Sequence, residues 1–181
     1  VPKMFHVRQT FPGDSIRPED IPGVVARELG QEPFASRIQP GMRIAITAGS
    51  RGIRNVDIIT KAIVDFVKAR GASPFIVPAM GSHGGATAEG QLEILACYHI
   101  TPESMGCPIE SSMEVVELGY SKRGRRVAID KNAYEADGII ISCRLKPHNA
   151  FRGPYESGPC KMMTVGLGKQ AGASVVHGDG M

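Results

Sequence analysis

Long apolar runs are missing from this 181-residue chain. The longest, at residues 139–143, suits a buried strand and is too short to cross a bilayer. The first twenty residues alternate charge and apolarity and lack the hydrophobic stretch of a signal peptide. A dominant charge is missing too. The 21 Lys and Arg against 18 Asp and Glu leave +3, too weak a balance to argue for nucleic acid. Cysteine is sparse and unpatterned: Cys97, Cys107, Cys143 and Cys160 lie 10, 36 and 17 residues apart and form no CxxC pair. A four-cysteine zinc site is therefore disfavoured, and a reduced, cytoplasmic chain is expected, with Cys143 buried. There is no internal repeat and no low-complexity segment.

What is present can build a core. Hydrophobic residues make up 42% of the chain, which excludes disorder as the default, and the length suits one domain over residues 1–181. The chain opens on Val1 and stops at Met181 after Gly-Asp-Gly, so the expectation is one domain excised from a longer protein.

The pattern predicts a first strand at 5–11 and a helix at 18–29 ended by Gly30, with a turn-rich connector at 33–41. The clearest unit follows. RIAITA (43–48) reads as a strand, 55–70 as a helix, and PFIVPA (74–79) as a strand. Val56, Ile59, Ile63, Phe66 and Val67 recur at helical spacing, Asn55 is placed to cap, and Gly71 stands at the C′ position. Strand, helix and strand within about forty residues form a βαβ crossover and imply parallel pairing. Further on, a helix is expected at 87–98, capped by Thr87 and burying Leu92 and Leu95. Strands are expected at 113–118, 126–129 and 138–144, a helical turn at 133–136, and helices at 159–167 and 170–176. The fold class is α/β, with a mostly parallel central sheet flanked by helices. Ligands bind such sheets outside the carboxyl ends of the strands. That rule selects three loops, at 49–54, 81–85 and 146–161.

The first loop holds a decoy. TAGSRGI (47–53) looks like the glycine turn of short-chain dehydrogenases, but Arg54 stands where the third glycine belongs, and no tyrosine has a lysine four residues on. What survives is a turn that aims Arg51 and Arg54 at the ligand edge, with Arg51 the better candidate.

Three of five histidines share a context of small residues beside a strand or helix end: His83 in GSHGG, His148 in KPHN, and His177 before GDG. His6 and His99 read as structural or surface residues. Imidazole takes and returns protons near neutrality and also ligates metals. Two such rings at neighbouring strand ends suit reversible proton transfer on opposite faces of a stereocentre. Between His148 and His177, a helix start carries Ser157, Gly158 and Lys161, where anions are favoured and a cation opposes the dipole. Lys161 is thus a candidate phosphate partner or covalent attachment point. The basic turn KRGRR (122–126) reads as a solvated hairpin tip.

The runs GSHGGATAEGQ (81–91), KPHNAFRGPYESGPCK (146–161) and GLGKQAGASVVH (166–177) resemble the N-terminal domain of the nickel-dependent lactate racemase family. The resemblance extends from about Ile44 to His177. It implies a nickel pincer nucleotide, the pyridinium-3,5-dithiocarboxylate mononucleotide, as cofactor. His177 matches the metal ligand, His83 and His148 the acid/base pair, Lys161 the lysine attached to the cofactor, and Arg51 the substrate-binding arginine; Ser157 and Gly158 fall beside the cofactor. The implied reaction inverts a small-molecule 2-hydroxy acid by proton-coupled hydride transfer. Nucleic acid and membrane partners are not expected, whereas a C-terminal domain of the same protein is, and the fragment alone is expected to be inactive. The chain departs from the family at Ala48, where an aspartate is often found, and in the longer segment from His148 to Lys161, which makes Lys169 the alternative lysine. Two other readings of the same residues are a non-catalytic nucleotide- or metal-binding module and a zinc hydrolase. The latter lacks an HExxH helix and an activating carboxylate.

Overall fold

A computed structural model describes residues 3–8, 10, 13, 15–146, 153 and 157–178. In chain order the elements are α1 (Ile21–Leu29), α2 (Phe34–Arg37), β1 (Arg43–Ala48), α3 (Val56–Ala69), β2 (Ser73–Pro78), α4 (Ala88–Cys97) and α5 (Pro102–Met105). They continue with β3 (Val115–Tyr120), β4 (Arg126–Asp130), α6 (Lys131–Tyr134), β5 (Gly138–Ile140), α7 (Pro159–Lys161) and α8 (Lys169–Gly178). β1 lies at the centre of a parallel sheet ordered β2-β1-β5. The predicted α/β class and βαβ unit are both present. β3 and β4 form a separate antiparallel ribbon. Its tip holds the basic turn, and Arg126 pairs with Glu117 at 2.6 Å.

β1 is largely apolar and buried from Ile44 to Ala48 because both faces of the sheet are covered. Alternate residues serve opposite cores, as the two-residue period of a strand requires. Ile44, Ile46 and Ala48 join Ile76, Val64, Val67 and Leu95 on the α3 side. Ala45 joins Phe75, Val77, Ala133 and Leu167 on the other. Ile46, Val64, Val67 and Ile76 are fully buried, each worth about 1.5–3 kcal/mol of apolar transfer. Among the described residues no helix is long and apolar enough to cross a membrane.

Several expectations need correction. The described residues within 5–11 form no strand, and Phe5 and Val7 are exposed. The 33–41 connector contains the short helix α2. Asn55 makes no side-chain cap; it adopts φ +59, a left-handed conformation that asparagine tolerates, and its carbonyl accepts from Ile59. In α4, Leu95 is buried as expected, but Leu92 is exposed and Gln91 takes the inner position. Cys143 is half-buried, and Cys107 is the buried thiol.

β5 is shorter than 138–144. Its ladder with β1 covers three residues, and then side-chain bonding takes over: Ser142 N–H donates to Thr47 Oγ1 at 2.9 Å. The helix expected at 159–167 is a three-residue α-turn that widens into a π-helix at Met162–Gly166, closed by Leu167 N–H donating to Met162 O. Gly158 immediately precedes this helical run, and Lys161 lies in its first turn.

Candidate functional site

β1 and β2 end side by side, and the chain leaves each through a glycine-bearing turn. From β1 come Gly49, Ser50 and Arg51; from β2 come Gly81, Ser82 and His83. A cleft of about 610 Å³ opens there, lined by Ser50, Arg51, His83, Gly84, Ile94, Cys97 and Tyr98. Of the three loops selected from sequence, the first two therefore meet.

The His83 turn is tightly determined. Gly81 (φ +63) and Gly84 (φ +67) both occupy conformations that favour glycine. Gly84 also packs backbone to backbone on Gly90 of α4: a Cβ on Gly90 would lie 2.1 Å from Gly84 O. Thr87 caps α4 as predicted, accepting from Gly90 N–H at 3.1 Å. Gln91 Nε2 donates to the carbonyls of Gly81 (2.9 Å) and His83 (3.3 Å), which explains why a polar residue occupies the buried face. The other end of the Gln91 amide is held by Lys169. Lys169 Nζ donates to Gln91 Oε1 at 3.2 Å and to Pro78 O at 2.6 Å, and lies 3.0 Å from Asp130 Oδ2. Both charged side chains are wholly buried. Lys169 thus braces the end of β2 from beneath. Its alternative role as the cofactor lysine is overturned, because its ammonium is enclosed and committed to these partners.

The His83 ring is hydrogen-bonded through Nδ1 to the Ser50 hydroxyl. Ser50 is itself held, since the Tyr98 hydroxyl donates to its carbonyl at 2.9 Å. Partial burial lowers the proton affinity of His83 below the ordinary histidine value, and the charges of Arg51 and Lys161 lower it further. Arg51 and Lys161 therefore act on the same imidazole although 110 residues separate them in the chain. Geometry explains the proximity of Lys161: the π-helix behind it lies over the β1 turn, with Met162 Cε 3.3 Å from where a Cβ on Gly49 would stand. Ser157 is half-buried. Gly158 is buried at φ +72, where a Cβ would meet Leu145 Cδ2 at 2.6 Å, so this glycine has a packing reason of its own.

His177 stands exposed in the last turn of α8. Four residues earlier, Ala173 faces the β2 turn, its methyl 3.6 Å from the Cβ position of Gly81. Residues four apart share a helix face, so His177 lies on the side of α8 that faces the His83 turn, one turn further along. His148 lies outside the described residues. Among the described residues, no three His, Cys, Asp or Glu side chains group to hold a metal ion. His6, His99 and Arg54 are exposed, and none lines the cleft.

Sequence reasoning missed Gln91, Asp130, the buried bracing role of Lys169 and the Ser50–His83 contact. The one available signal was Gln91, a polar residue at a position where helical spacing permits burial.

A family model described as the lactate racemase N-terminal domain matches residues 7–179. Comparison with curated proteins finds no match.

Proposed function

The chain belongs to the lactate racemase N-terminal domain family, and on that premise we propose that it is the histidine-bearing domain of an isomerase that inverts a 2-hydroxy acid. One observation carries this reading. An imidazole of lowered proton affinity lies in the cleft at the carboxyl ends of β1 and β2, with two cations acting on it. Such a ring is neutral near pH 7 and ready to accept a proton. The cations suit a substrate that carries a carboxylate.

Arg51 binds the carboxylate and fixes the orientation of the C2 hydroxyl. His83 accepts the hydroxyl proton of one enantiomer through Nε2. His148 does the same for the other enantiomer from the opposite face, and each ring returns its proton when the reaction runs backward. Residues 1–181 act as one α/β domain whose cleft is completed by a further domain of the same protein.

The residues also fit a nickel pincer nucleotide. His177 offers one exposed imidazole, and Lys161 an exposed amine. Lys161, with Ser157 and Gly158, would hold the nucleotide and His177 the nickel. When bound, the cofactor supplies a two-electron acceptor for the C2 carbon.

The test uses the full-length protein loaded with cofactor. Single-enantiomer 2-hydroxy acids are incubated and followed by chiral chromatography. The expected result is inversion of at least one acid, and its loss in His83→Asn and in His148→Asn with cofactor retained. Loaded wild-type protein that inverts no 2-hydroxy acid refutes the proposal.

A further inference from the structure

We infer that Ser50 is a positioning residue that fixes the tautomer of His83, accepting a hydrogen bond from Nδ1–H and so directing the basic Nε2 toward the cleft. The inference rests on the function proposed above for His83, but its geometry stands independently. The Ser50 hydroxyl is hydrogen-bonded to Nδ1 of His83. The ring lines the cleft, so Nε2, on its far side, is the nitrogen left for a ligand. The Ser50 backbone is anchored, because the Tyr98 hydroxyl at the end of α4 donates to its carbonyl from a separate element. The Tyr98 ring also stacks under the turn, 3.8 Å from the Cβ position of Gly52.

The chemistry fixes the direction of the bond. A ring that cycles between base and acid at Nε2 keeps its proton on Nδ1 in both states. Nδ1 is then always the donor and the serine oxygen always the acceptor. The bond is stronger to the imidazolium, where it is charge-assisted. Ser50 therefore favours the protonated ring, against the effect of the groups that oppose it. Those groups are Arg51 on the same turn and Lys161 on α7. Tyr98 and Cys97 are the other ionisable side chains lining the cleft. A bond of opposite sense, with the hydroxyl donating to a bare Nδ1, would leave the proton on Nε2 and block base catalysis from the cleft.

The two senses give opposite predictions. Nitrogen-15 NMR of the chain, without cofactor, reads the neutral tautomer of His83 directly. The expected signature is protonated Nδ1 and bare Nε2. In Ser50→Ala the neutral ring is expected to shift toward the Nε2–H tautomer and its titration midpoint to move down. Ser50→Thr is expected to restore both. Tyr98→Phe, which loosens Ser50 without removing it, is expected to move both the same way by less. A wild-type ring protonated on Nε2, or a midpoint in Ser50→Ala that rises or stays, overturns the inference. In the loaded full-length protein, Ser50→Ala is expected to lower kcat about tenfold with KM little changed. If wild type shows no turnover, the function proposed above fails while the NMR result still decides the role of Ser50. If wild type turns over and Ser50→Ala leaves tautomer, midpoint and kcat unaltered, the role of Ser50 fails alone.

Discussion

Replacing Lys169 with methionine should be among the most damaging single changes in the chain. The methionine keeps much of the side-chain volume but removes the ammonium. Asp130 Oδ2 then loses its close counter-charge, and among the described residues it accepts no hydrogen bond of good geometry. Oδ1 keeps one donor, the Ala133 N–H at 2.9 Å. A carboxylate stranded at zero exposure costs about 3–5 kcal/mol. Total stability of a domain is typically about 5–15 kcal/mol, so the variant should remain folded but weakened. In a chain of this length the melting temperature should drop by about 6–20 °C. Urea denaturation gives the free energy, and a double-mutant cycle isolates the charge. Asp130→Asn on its own strands the ammonium instead, which burial already pushes below its ordinary proton affinity while Asp130 holds it up. The double variant strands neither charge, so it should be more stable than the two single losses together imply, by about 2 kcal/mol. Strict additivity, or a loss below about 1 kcal/mol in Lys169→Met, would refute the reading of a tightly coupled buried pair.

Two further predictions concern the His83 turn. Gly90→Ala drives a methyl into the Gly84 carbonyl, so it should cost about 1–3 kcal/mol by denaturation. Gly23→Ala in α1, where nothing lies within 4 Å, should instead gain about 0.5–1 kcal/mol; equal effects at the two sites would contradict the packing assigned to the turn. Arg51→Gln and Lys161→Gln each remove a cation that opposes protonation, so the His83 midpoint should rise in both, more in Arg51→Gln, as read by histidine NMR titration. Because the folded ring is harder to protonate than the unfolded one, wild-type stability should fall as pH drops below the ordinary histidine value, and this dependence should weaken in both variants.

The parts of the fold that were legible in the sequence are those set by neighbours along the chain. β1, α3 and β2 announce themselves because a strand covered on both faces is largely apolar and an amphipathic helix has a fixed period. The glycines around His83 were legible for a similar reason, since local backbone conformation demanded them. What failed depends on partners far away in sequence. β5 ends early because Thr47, 95 residues earlier, offers a side chain instead of a ladder. Residues 5–11 alternate as a strand should, yet those described pair with no strand among the described residues.

Lys169 shows why a site needs more than its motif. By sequence it was a cation in a glycine-rich run, a weaker substitute for Lys161. Its real environment is set by Asp130, 39 residues earlier, and by Gln91, 78 residues earlier. The two lysines have opposite situations: Lys161 is exposed and exerts its charge on the cleft, whereas the charge of Lys169 is enclosed and neutralised by Asp130. Lys161 therefore bears on His83 through its charge. Lys169 acts through the hydrogen bonds that hold Gln91, and Gln91 in turn holds the carbonyls of Gly81 and His83. The precision of the His83 ring depends on both routes, one through its backbone and one through Ser50. A substitution that leaves every cleft-lining residue in place, such as Gln91→Leu, should for that reason still disorder the ring.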